Sequence, residues 1–99
     1  MARPSKLTEA QIQQALAELP EWRYHDDKLQ RTFKFADFSQ AWGFMSRVAL
    51  MAEKMDHHPD WSNVYNTVHV ALSTHDAGGV TELDLQLARH MNRFYAERG

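Results

Sequence analysis

The sequence predicts an α+β fold in two layers, an antiparallel sheet with the helices gathered on one face, in the order α-β-β-α-β-β-α. Three observations carry that expectation. Segments with strand-like alternation arrive in adjacent pairs, as hairpins do, rather than singly between helices as parallel crossovers would require. Three further segments carry apolar residues at helical spacing behind a capping residue. At 99 residues the chain has room for one compact core, because folding at this size buries on the order of 60–70% of the surface an unfolded chain exposes. Residues 1–99 are read as a single domain.

Taken in order, Thr8-Glu9-Ala10-Gln11 has the form of a capping box, with Ile12, Leu16 and Leu19 behind it at helical spacing. This predicts a short first helix ending near Pro20. Glu21 to His25 and Leu29 to Phe35 flank Asp26-Asp27, and Leu29, Arg31, Phe33 and Phe35 alternate with Gln30, Thr32 and Lys34, which predicts a hairpin. Asp37-Phe38-Ser39-Gln40 is the next start signal. Phe38, Ala41, Trp42, Met45, Val48, Ala49, Ala52 and Met55 then trace the apolar stripe of a long helix from Phe38 to Met55. A second set, Phe44, Val48 and Met51, widens that stripe, so the helix is either the central core helix or one that also packs on another subunit. Pro59 cannot continue a helix and biases His58 away from helical dihedrals, placing His57 and His58 in the turn that follows. From Ser62 to Thr74, Val68, Val70 and Leu72 alternate with Thr67, His69, Ala71 and Ser73, which predicts two strands turning near Asn66. Asp76-Ala77-Gly78-Gly79 reads as a loop. Thr81-Glu82-Leu83-Asp84 opens a last helix with Leu83, Leu87, Met91 and Phe94 on its core face.

Composition narrows the chemistry. A formal charge of −2 with scattered Lys and Arg offers no basic stripe for a phosphate backbone, which disfavours direct nucleic-acid binding. The chain has no long apolar run, and Met1-Ala2-Arg3-Pro4-Ser5-Lys6 lacks the apolar stretch of a signal peptide, so no membrane association and a cytoplasmic location are expected. The absence of cysteine excludes disulfides, thiolate zinc sites, iron–sulfur clusters and cysteine nucleophiles. No glycine-rich phosphate loop, GxSxG elbow or HExxH helix is present.

Four of the six histidines, His57, His58, His69 and His75, fall in one third of the chain together with Glu53, Pro59, Tyr65 and Asp84. Histidine is the side chain whose ordinary pKa lets it exchange protons near neutrality, so the cluster points to acid/base chemistry. Glu53 lies four residues before His57; if the last helical turn persists, the carboxylate faces the imidazole and orients it. His58 must point elsewhere. His75 follows a strand and heads a loop, where rigid scaffolds present functional groups. His69 in mid-strand reads as structural, on the sheet's more polar face, and His25 and His90 as surface residues. Asp84 is the acidic partner of a Thr81 capping box, with a functional role only if that helix start faces the cluster. Trp61 and Tyr65 are candidate pocket walls or core. Glu53, His57, His75 and Asp84 are acceptable ligands for zinc, iron or manganese, but their spacing matches no metal motif, and no metal or cofactor is expected.

The ordered set of Glu53, three residues, His57-His58-Pro59, five residues, Tyr65, nine residues, His75, eight residues and Asp84 resembles the signature of the pterin-4a-carbinolamine dehydratase family. Phe44 to Leu50, Asn63-Val64-Tyr65-Asn66 and Leu72-Ser73-Thr74-His75 are similar to family segments, and the likeness extends from about Leu7 into the last helix. The resemblance implies a four-stranded antiparallel sheet with three helices on one side. It also implies dehydration of 4a-hydroxytetrahydropterin to the quinonoid dihydropterin, which regenerates tetrahydrobiopterin spent by aromatic amino acid hydroxylases. It further implies a homodimer or homotetramer that works without metal or bound cofactor. His57, His58 and His75 would be catalytic; Glu53, Pro59, Trp61, Ser73, Thr74 and Asp84 would bind substrate, with Glu53 orienting His57 and Asp84 completing the polar rim. Family members in some animals also serve as dimerisation cofactors for a homeodomain transcription factor, so a protein-binding dimerisation or coactivator module with a secondary pterin site is the alternative.

Overall fold

The computed structural model describes residues 4–98; Met1, Ala2 and Arg3, part of the segment read above for a signal peptide, lie outside the described residues, as does Gly99. Three helices and four strands follow the expected order: α1 (Glu9–Leu16), β1 (Arg23–His25), β2 (Lys28–Lys34), α2 (Phe38–Met55), β3 (Asp60–Val64), β4 (Thr67–Leu72) and α3 (Glu82–Ala96). A single 3-10 turn, His75–Ala77, occupies the start of the stretch read as a loop. Each helix begins at its anticipated cap. Thr8 accepts from the Gln11 amide at 3.1 Å while Gln11 returns a bond to the Thr8 amide, Asp37 accepts from the Gln40 amide at 2.8 Å, and Thr81 and Asp84 form the box of α3.

The sheet runs β1-β2-β4-β3, antiparallel throughout. Asp26 and Asp27 both take positive φ, as a two-residue type I′ hairpin turn requires. Pairing Phe33 with Val68 and Leu29 with Leu72 turns those four side chains toward the helices, where all are fully buried. The alternate residues Gln30, Thr32, Lys34 and His69 face away from the core, and Thr32 Oγ1 bonds His69 Nδ1 at 2.9 Å. His69 thus sits on the open polar face.

Phe33 is the centre of the core. Its ring lies 4.8 Å from Phe44, 5.1 Å from Tyr95 and 5.9 Å from Trp22, joining β2 to α2, α3 and the segment before β1. From α3, Leu85 and Ala88 are buried beside Leu87, Met91 and Phe94, whereas Leu83 is only half-buried. Helix α2 buries Ala41, Phe44, Val48 and Ala52. Phe44 and Val48 therefore serve the subunit's own core, and the surplus apolar side chains on this helix are Phe38, Trp42 and Leu50, all exposed.

Candidate active site

The site begins where α2 ends. Asp56 takes the left-handed conformation, φ 52° and ψ 43°, which Asp tolerates better than most residues. Its amide bonds back to the carbonyls of Ala52 and Glu53, and the His57 amide donates to the Ala52 carbonyl at 3.0 Å, a Schellman-type closure. The chain therefore reverses one residue before His57. This overturns the expected Glu53–His57 pair: the last turn does not persist, so the two side chains share no helical face. Glu53 Oε1 instead meets His58 Nε2 at 2.8 Å, in the open.

His57 is turned inward, 5% exposed, and its Nε2 lies 2.5 Å from Asp84 Oδ1. Asp84 is fully buried. Its other oxygen accepts from the Thr81 amide at 2.8 Å and from the Thr74 hydroxyl at 2.9 Å, and the Thr74 and Thr81 hydroxyls are 2.7 Å apart. An unpaired carboxylate in such a position would be expensive to desolvate; here three donors satisfy it. The start of α3 does face the histidine cluster, but Asp84 lies beneath His57. It is not on the rim as expected, because its capping role draws it into the first turn of the helix.

Above this pair opens a cleft of about 210 Å³ lined by Asp56, His57, His58, Ser73, His75 and Asp76. The end of α2 supplies one wall, and the end of β4 with the 3-10 turn supplies the other. All three predicted catalytic histidines border it. Ser73 and His75 also line an adjoining cleft with Thr74, Gly78, Gly79, Asp26, Asp27 and Lys28. Pro59 and Trp61 do not line the histidine cleft. Trp61 pairs with Val70 in the sheet and packs against the core, while Tyr65 is exposed at the β3–β4 turn. Thr81, Asp56 and Asp76 went unremarked as site residues in the sequence; the Asp56-His57-His58 run at a helix stop was the available signal. Among the described residues no group of three or more His, Cys, Asp or Glu is arranged to hold a metal ion.

Fold and site together describe a small α+β domain with a histidine-lined cleft backed by a buried carboxylate. Residues 5–94 match the family profile described as pterin 4 alpha carbinolamine dehydratase. A relative from Novosphingobium aromaticivorans, provisionally named pterin-4-alpha-carbinolamine dehydratase, is 60% identical over 92 residues, covering 91% of this chain and 96% of the relative. One from Mesorhizobium japonicum with the same provisional name is 59% identical, covering 91% and 94%. The crystal structure of a transcriptional coactivator/pterin dehydratase from Brucella melitensis superposes with a TM-score of 0.90 at 50% identity, over 92% of this chain and 99% of that one. The chain belongs to the pterin 4 alpha carbinolamine dehydratase family.

Proposed function

We propose that this chain dehydrates 4a-hydroxytetrahydropterin to the quinonoid dihydropterin by histidine acid/base catalysis, returning spent tetrahydrobiopterin to use. The observation that carries the reading is the meeting of His57, His58 and His75 on one cleft, with His57 braced from beneath by Asp84. In the reaction the C4a–O bond breaks, the hydroxyl leaves as water after gaining a proton from the site, and a ring nitrogen gives one to it, so the site's total proton count is unchanged over a turnover. Positioned groups that titrate near neutrality serve both transfers. His57 and His75 handle the protons and His58, held by Glu53, binds and polarises the pterin. Ser73 and the backbone of Thr74, just past the end of β4, border the ring, while the Thr74 hydroxyl is turned to Asp84. The reading includes no metal or bound cofactor, a homodimer or homotetramer, a cytoplasmic location and an aromatic amino acid hydroxylase as metabolic client. No helix among the described residues is long and apolar enough to cross a membrane.

The test follows dehydration of chemically generated 4a-hydroxytetrahydropterin by the wild type, His57→Ala and His75→Ala. Each variant is expected to lose on the order of 10²-fold or more in turnover while remaining folded, and exhaustive chelation is expected to leave the wild type unaffected. Near wild-type rates in both variants would refute the assignment.

A second reading, a protein-binding coactivator module, draws on the exposed Phe38, Trp42 and Leu50 of α2 and on the coactivator role named for the Brucella structure. Binding of a reduced pterin by the purified chain separates the two, since an adaptor has no physical need of the histidine cleft.

A further inference from the structure

We propose that the depression on the sheet between the start of β1 and His69 of β4 is a second ligand site, which holds the oxyanion of a small molecule, a carboxylate or a phosphate, on Arg31 with help from Arg23.

The depression measures about 280 Å³, and its lining includes Glu21, Arg23, Gln30, Arg31, Thr32 and His69. That size is near the lower end of the range for small-molecule sites. It shares no lining residue with the histidine cleft, so the proposal stands apart from the dehydratase reading. Strand β1 pairs only with Lys28 to Gln30, which leaves the edge of β2 from Arg31 onward without a strand on that side.

Arg31 is the anomaly there. Its place on β2, alternating with Gln30 and Thr32, starts its side chain on the helix side of the sheet. The guanidinium lies 4.2 Å from the centre of the Phe33 ring and 5.0 Å from that of Tyr95, and the side chain is only 12% exposed. A cation so desolvated calls for an anion in contact with it. Glu21 comes no nearer than 4.0 Å, beyond hydrogen-bonding distance, and is itself exposed. Burial, with repulsion from Arg98, accordingly holds the Arg31 pKa below its ordinary value in spite of Glu21 and Tyr95.

The donors also remain unspent. Nη1 donates to Asn92 Oδ1 at 2.6 Å, an oxygen that already accepts from the Trp22 indole at 2.8 Å. Nε and Nη2 make no bond within the described residues, yet no described buried side-chain nitrogen or oxygen lacks a partner. These N–H groups therefore open to the surface, where Arg31 lines the depression. Together they form one edge of the planar fork that takes an oxyanion through two parallel bonds. Arg23 adds an exposed second cation, and His69, whose Nδ1 is 2.9 Å from the Thr32 hydroxyl, leaves Nε2 unbonded among the described residues. Two arginines against one glutamate favour an anion.

The experiment titrates inorganic phosphate and acetate separately into the full chain, against chloride at matched ionic strength. Nitrogen-15 NMR follows the Arg31 Nε–H and the Trp22 indole N–H, which shares the Asn92 oxygen with Arg31. Both signals are expected to shift and to saturate with a Kd on the order of 1 mM for at least one of the two anions. The tighter of the two identifies the ligand group as phosphoryl or carboxylate. Arg31→Lys keeps the charge and loses the fork, and should weaken binding about tenfold or more, as read at Trp22. Glu21→Gln removes the competing charge and should tighten binding about fivefold, the effect of one charge at this distance in water. Signals that neither anion moves beyond the effect of chloride would overturn the proposal and leave Arg31 a support for Phe33 and Tyr95. Unchanged binding in folded Arg31→Lys, or unchanged or weaker binding in Glu21→Gln, would overturn it as well.

Discussion

Glu53 and His58 are joined across the left-handed bend at Asp56, Oε1 to Nε2 at 2.8 Å, with their side chains 80% and 58% exposed. Exposed pairs of this kind contribute little to folding, so the contact bears on how His58 is held. Glu53→Gln is expected to leave the melting midpoint unchanged while lowering kcat/KM about tenfold, of the order of one interaction that holds a reacting complex. Parallel thermal and kinetic measurements check this; a shifted midpoint with unchanged kinetics would assign the pair to stability instead.

Asp84 behaves oppositely. Replacing it with Ala leaves the Thr81 amide, the Thr74 hydroxyl and His57 Nε2 without their acceptor in a fully buried position. The expected loss is about 3 kcal/mol or more, read as a lower urea midpoint at constant m-value. A loss below about 1 kcal/mol, the worth of an ordinary neutral hydrogen bond, would mean that water replaces the missing oxygens.

Tyr65 sits at φ 52° in the two-residue β3–β4 turn and is 61% exposed. Left-handed backbone is unfavourable for an aromatic residue and natural for glycine. Tyr65→Gly is expected to stabilise the fold by about 0.5–1 kcal/mol, after allowing for the greater freedom of glycine in the unfolded chain. Differential scanning calorimetry should show a midpoint a few degrees higher; a fall would reveal packing by the tyrosine ring that outweighs the backbone gain.

His90 supplies a pH dependence. Burial in α3, with Arg93 and Lys54 adding repulsion, holds its pKa below the ordinary histidine value. The unfolded chain then binds the proton more readily than the fold, so this contribution to stability is complete above the unfolded pKa. It is lost as pH falls through that value toward the folded one. His90→Gln is expected to lose less stability than the wild type between about pH 7 and pH 5. Denaturant titrations at the two pH values provide the comparison, and an equal loss in both proteins would show that other groups govern the acid limb.

Much of the fold was legible because its signals are local. Asp37 and Thr81 mark helix starts through their own neighbours, and alternation in β2 and β4 assigns Leu29, Phe33, Val68 and Leu72 to the core. The histidine set was legible as a pattern of spacings. Its internal wiring was not, because the deciding event is one left-handed residue. With Asp56 helical, Glu53 would reach His57; with Asp56 left-handed, His57 turns inward to a carboxylate 27 residues away, and Glu53 is left to His58. Long-range partners of that kind follow from how β4 and α3 converge, which no local spacing encodes. The choice between pocket wall and core was open for Trp61 for a related reason: its register in the sheet, opposite Val70, sets it against the core.

The carboxylate that completes the cap of α3 is the one that holds His57. Helix ends are where folded chains open most readily, and opening the first turn of α3 would release Asp84 and with it the histidine. The exchange rate of the Thr81 amide, bonded to the same carboxylate, therefore measures how often His57 loses its carboxylate partner. Winding that turn and bracing His57 are one event.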